Sequence, residues 1–177
     1  MTLVAVLTLT HATPGWADYS EVSWGRPANG THTYCYNNLT PSGEDVARYA
    51  MVRLRDTTVM DIRYVARDCG GDGDITDVTW NSTDLDPGTR GLYRAKYTTN
   101  GVTHWGEVHL DFAELKIGDN DWHDMRKTSM HELGHSVGLR HNEPGEQSAM
   151  ISGEVPSTHW VWRSYSPEDR RDINRVF

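Results

Sequence analysis

Apolar positions along the chain recur at two spacings, one suited to strands and one to helices. Thr33–Asn38 alternates and is rich in β-formers, which predicts a first strand. Thr40 and Pro41 then supply an N-cap and a proline at the first helical position. Val46, Tyr49, Ala50 and Leu54 follow at i, i+3, i+4 and i+8, the stripe of one buried helix face, and the pattern fades near Asp56. Val59–Ala66 reads as a second strand, and a strand–helix–strand order implies a right-handed parallel crossover. Asp77–Trp80 fits a short third strand. Gly91–Thr98 and His104–Phe112 are joined near Asn100-Gly101, a strong hairpin signal, so these two strands are expected to be antiparallel. Asn120 or Asp121 caps a helix from Trp122 to Val137, with Trp122 and Met125 towards the core and His123 exposed. Ser166-Pro167 opens a last helix that runs to Phe177 and buries Ile173, Val176 and Phe177. Residues 18–32 are polar and read as an extended lead-in. The pattern predicts an α+β fold: a mixed sheet with an antiparallel member and two long helices, the chain ending in a helix.

The chemistry is concentrated in one stretch, His131-Glu132-Leu133-Gly134-His135-Ser136-Val137-Gly138-Leu139-Arg140-His141. On a helix, His131 and His135 lie one turn apart and project from one face. Two imidazoles so placed can hold one Zn²⁺ at roughly 2.0–2.1 Å. Glu132 lies beside His131, within reach of a reacting water without being a ligand. Gly138 can adopt φ > 0, so the helix can stop there and the chain can bring His141 back as a third ligand. Three protein ligands leave a fourth position open, the catalytic rather than the structural arrangement. The bland alternative is a helix with surface histidines.

This stretch resembles the signature of the metzincin clan of zinc endopeptidases. Met150, within Ser148–Gly153, resembles the clan's Met-turn methionine, a packed floor below the metal that is compatible with simple core filling. The resemblance implies a zincin-like fold, with an α/β-like upper subdomain over 18–138 and a smaller lower one over 139–177. It makes Gly91–Thr98 the edge strand along which an extended substrate would lie. Arg94 and Lys96 would then sit near the cleft or simply be solvated. The resemblance also places Trp160 and Trp162, within Pro156–Tyr165, in the wall of a pocket favouring an apolar side chain, with plain ring packing as the alternative. Gly134 is expected to let the helix approach the sheet closely. Ser152 stands where some families of the clan carry a zinc-side tyrosine, Asn142 follows the third histidine, and that third residue is His141 rather than Asp. These features place the chain nearest a minimal matrixin-like peptidase. His109 resembles a matrixin ligand to a second zinc; without recognisable partners it reads as a hydrogen-bonded strand residue.

Composition narrows the setting. The chain has 177 residues, enough for one domain with a real core, and a net charge of −8, which argues against a nucleic-acid partner. No apolar run approaches the roughly 20 residues of a membrane span. Leu3–Thr10 is a short apolar run, and Gly15-Trp16-Ala17 offers a cleavage site before Asp18, so residues 1–17 read as a signal peptide although no basic residue precedes the run. In an oxidising compartment Cys35 and Cys69 are expected to pair; the rival is Cys35 as a latency cysteine on the zinc. Asp68–Asp74 clusters Asp and Gly and could bind Ca²⁺, or be only an acidic turn. The expected protein is a secreted, monomeric zinc endopeptidase acting on protein or peptide substrates, with Glu132 as general base. The alternatives are a zinc-dependent cell-wall-peptide hydrolase and a zinc-binding module without catalysis.

Overall fold

The computed structural model describes residues 26–66, 69, 76–155 and 157–177. The expected signal peptide and, apart from Cys69, the candidate calcium stretch Asp68–Asp74 fall outside the described residues, except that 69 itself is placed.

Strand β2 (Thr31–Asn37) leads into helix α1 (Pro41–Thr57) and then strand β3 (Asp61–Tyr64). The Thr40 side chain accepts a bond from the Gly43 amide at 3.2 Å, with Pro41 just inside the helix, as its residues predict. Val46, Ala47, Ala50, Met51 and Leu54 bury one face of α1. β3 runs parallel to β2, from Thr31 opposite Asp61 to Tyr34 opposite Tyr64. It is shorter than the run of β-formers in Val59–Ala66. Val59 is exposed, and the preceding turn is closed instead by the Thr58 hydroxyl, which bonds both Leu54 O and the Met60 amide. Propensity marks which residues tolerate a strand; pairing is set by where a neighbour lies.

Strands β4 (Val78–Ser82) and β6 (Val102–Leu110) continue the parallel array, and β5 (Gly91–Thr99) pairs antiparallel with β6. Among the described residues the strand order is β5-β6-β4-β2-β3, so β5 is an edge. The hairpin turn has Asn100 at φ 51° and Gly101 at φ 74°, the two positive values that a tight type I′ turn needs. One element has no hydrophobic signature: β1, only Arg26–Pro27, pairs in parallel with the start of β6.

Helix α2 (Asp121–Ser136) packs on α1 and beneath β5 and β6. Met130 and Leu133 carry its apolar contacts, but most of its buried surface is polar, including Asp124, Lys127, Thr128, His131, Glu132 and His135. Trp122 departs from expectation. It is 50% exposed, because the first turn of α2 projects beyond the core and the indole covers the Arg126 guanidinium at 3.5 Å, with Tyr49 on the other side at 4.3 Å. His123 is half-buried against Arg163 rather than exposed. Beyond Gly138 (φ 92°) the chain loops to helix α3 (Pro167–Val176), opened by a capping box between Ser166 and Asp169. The Asp169 carboxylate also accepts from Ser148 Oγ at 2.5 Å, which ties α3 to the turn carrying Met150.

Candidate active site

Helix periodicity and one glycine bring three histidines together. His131 and His135 project from successive turns of α2, and the positive φ of Gly138 returns the chain so that His141 meets them. One ligand atom from each lies within 4.8 Å of the others, and the ring centroids are 4.7–5.0 Å apart. Each ring has its Nδ1 engaged. That of His131 lies 2.9 Å from Ala149 O, that of His135 2.8 Å from Leu139 O, and that of His141 3.3 Å from Ser152 Oγ. A carbonyl can only accept, so Nδ1 of His131 and His135 carries the proton and Nε2 keeps its lone pair for a metal. Two imidazoles fixed in this tautomer, with His141 converging on them, fit a zinc site with an open position.

Burial keeps these rings neutral. It pushes His131 down to about 2, with Lys127 and His135 repelling a further charge, and His135 down to about 4; His141, more open, is lowered by the same two causes, burial and Lys127. Glu132 moves the other way. Burial raises it to about 7, against the pull of Lys127 and a hydrogen bond from the Tyr93 amide.

These shifts predict how the metal-free protein responds to acid. An unfolded chain protonates its histidines as pH falls through 6.5, whereas His135 in the fold waits until about 4 and His131 until about 2. The unfolded state then binds more protons, so stability falls with pH across roughly 6.5 to 4. Glu132 opposes this, since its folded carboxyl takes a proton near 7 and its unfolded one near 4.5. Two strongly shifted imidazoles outweigh one carboxyl, and the urea midpoint of the metal-free protein is expected to be lower at pH 5 than at pH 7. An equal or higher midpoint at pH 5 would show that the rings are not held neutral by burial.

The histidines open into a cleft of about 680 Å³ between the start of β5, α2 and the turn after Met150. Gly91 sets its depth, because a Cβ there would lie 2.5 Å from Thr128 Cγ2 and 2.9 Å from Glu132 Oε1. The closest approach of α2 to the edge strand is thus made at Gly91. Gly134, expected to meet the sheet, instead meets the turn carrying Met150: its Cβ would lie 2.3 Å from Met150 Sδ. Met150 is fully buried, a floor beneath the helical turn that separates His131 from His135.

Several sequence expectations fall elsewhere. Among the described residues lining the cleft there is neither Trp160 nor Trp162. Trp160 is 60% exposed and Trp162 bonds Ser157 Oγ, because their short 3₁₀ turn packs against α1 and α2, where Tyr49 Oη donates to Arg163 O. Lys96 pairs with Glu107 and lies over Trp105, and Arg94 is exposed, both outside the cleft. His109 is hydrogen-bonded to Thr83 Oγ1 and Glu107, as its strand position suggested. Cys35 is buried and bonded to Cys69, so it is not placed on the histidines. Residues that sequence reasoning passed over include Arg90 and Glu154, ion-paired at the cleft, Gly91 and Lys127, whereas Ser152, noted only as standing in the place of a tyrosine, lines the cleft beside His141. Only Lys127 left a signal, its position one helical turn before His131.

No protein-family model matches the chain. A stretch of 76 residues, 41% of this chain, is 34% identical to stromelysin-3 of Mus musculus, and 75 residues are 32% identical to stromelysin-3 of Homo sapiens. The chain spans only 14% of the length of these curated relatives. In structure it is similar to archaemetzincin from Methanopyrus kandleri, with a TM-score of 0.56 and 16% identity over 84% of this chain and 97% of that one. The fold is therefore metzincin-like.

Proposed function

We propose that this metzincin-like chain is a secreted zinc-dependent endopeptidase that hydrolyses internal peptide bonds of proteins. The observation that carries the reading is the convergence of three neutral imidazoles, each with Nδ1 already engaged, beside a buried carboxylate at the foot of an open edge strand. His131, His135 and His141 would hold the metal. Zinc, when bound, supplies Lewis acidity towards the scissile carbonyl and the attacking water.

The remaining work belongs to the chain. The free edge of β5 offers backbone groups to an extended peptide, which would add as a further antiparallel or parallel strand and lie across the cleft. Glu132 takes a proton from the water as it attacks and delivers it to the departing amine. A carboxyl pushed up to about 7 suits both halves of that exchange near neutral pH. The Tyr93 amide fixes the orientation of this carboxyl relative to the strand that would bind substrate. Met150 and Gly134 keep the two helical ligands on a rigid floor. The disulfide between Cys35 and Cys69 supports an oxidising, extracellular setting, and among the described residues no helix is long and apolar enough to cross a membrane.

An unfolded protein substrate tests the reading. The chain is expected to cut it at internal bonds, to stop after treatment with a strong chelator and to recover on addition of about one equivalent of zinc. Cleavage of a purified wall peptide but not of the protein substrate would transfer the assignment to a wall hydrolase. Zinc binding without cleavage of either would leave a binding module.

A further inference from the structure

Lys127 has no task in the chemistry described above, yet it is one of the least exposed charged groups of the cleft, at 3%. It stands on α2 one turn before His131. An ammonium so buried must spend its donors on good acceptors. Two of them go to backbone carbonyls: Ile151 O at 2.5 Å and Gly153 O at 2.8 Å. Between those two carbonyls stands Ser152, whose hydroxyl lies 3.3 Å from His141 Nδ1. Gly153, at φ 86°, makes the reversal that a residue with a Cβ would resist.

His141 depends on this turn more than its partners depend on theirs. It is exposed where His131 and His135 are buried, and its Nδ1 meets a side-chain hydroxyl rather than a backbone carbonyl. A hydroxyl on a mobile turn would not hold a ring; one on a turn fastened at both flanking carbonyls does. The Asn142 amide bonds Met150 O at 3.1 Å, which fixes the backbone beside His141 but leaves the rotation of its ring to Ser152.

We propose that Lys127 is a positioning residue for the third zinc ligand, its ammonium clamping the Ile151 and Gly153 carbonyls and so holding the Ser152 hydroxyl against His141. The proposal rests on the reading of His131, His135 and His141 as zinc ligands. Simple electrostatics gives the opposite expectation for the metal. A cation one turn from His131 repels a dication, so its removal by itself would tighten zinc binding. The clamp predicts that removal weakens it.

The test measures zinc dissociation constants, by competition with a chromogenic chelator, for the whole chain and for Lys127→Met, Lys127→Gln, Ser152→Ala and the Lys127→Met, Ser152→Ala double variant. Lys127→Met and Ser152→Ala are each expected to weaken zinc about tenfold, the scale on which groups behind the ligands act. Lys127→Gln keeps one amide donor for the carbonyls and is expected to lose less; it also serves if the Met variant does not fold. The double variant is expected to be no weaker than the weaker single one, because both changes break the same path. Zinc binding unchanged or tightened in Lys127→Met and Lys127→Gln would overturn the proposal, as would single effects that multiply to about a hundredfold. A parent chain that binds no zinc would instead overturn the endopeptidase reading beneath it.

Discussion

Glu132→Gln is expected to lower kcat/KM on a protein substrate by about 10²- to 10⁴-fold, the range that a positioned acid–base group contributes, while zinc stays bound. Glutamine keeps the shape of the side chain and an oxygen for the Tyr93 amide, so the packing against Gly91 and Thr128 survives. It cannot accept the water proton or return it to the leaving amine. Stability is expected to move the other way. The folded carboxyl ionises only near 7 although an unfolded one ionises near 4.5, so above that window its charge weakens the fold. Removing the charge relieves this, and the metal-free Glu132→Gln variant is expected to have a urea midpoint at pH 8 equal to or above the parent's. Activity lost together with stability would indicate a structural carboxyl, and the catalytic assignment would fail.

Replacing both Cys35 and Cys69 by serine is expected to have the largest effect on stability. The bridge spans a sequence separation of 34, and closing a loop of that size stabilises by about 4 kcal/mol in the chain-entropy account. Cys35 lies fully buried in β2, between β3 and β4, so the bridge pins a central strand rather than a surface loop. For a chain of this size the loss corresponds to a fall of about 8 to 16 °C in the melting temperature. Calorimetry of the double variant beside the parent, both loaded with zinc, measures it. A fall of less than about 3 °C, or under 1 kcal/mol at this size, would show that the strand order holds the fold without the bridge.

Local signals were read correctly wherever one segment carries the whole cause. The Thr40–Pro41 and Ser166–Pro167 helix starts and the Asn100-Gly101 turn are decided within four or five residues, and each stands where its residues predict. The convergence of the three histidines is of the same kind, since helical periodicity alone aligns His131 with His135 and a single glycine returns His141. Readings failed where the partner lies far along the chain. Trp122 is apolar but finds a guanidinium at the open end of α2, and Trp160 is exposed and Trp162 bonds Ser157 Oγ, neither of them lining the cleft. β1 left no pattern because its two residues are ordered by β6, about 75 positions later.

The amino-acid order by itself determined the three-histidine cluster, the neighbouring acid, the helix starts and the antiparallel hairpin, because these follow from spacings of one helical turn or one tight turn. Tertiary structure decided what those groups can do. Burial between α2 and β5 keeps the rings neutral and lifts Glu132 to about 7, and no local spacing encodes burial. The depth of the cleft rests on Gly91 against Thr128, and the floor on Gly134 against Met150, both contacts between separate elements. The fastening of the Ser152 turn by Lys127 is of the same kind, 24 and 26 residues apart in the chain and joined only when the sheet, the helix and the turn have packed together.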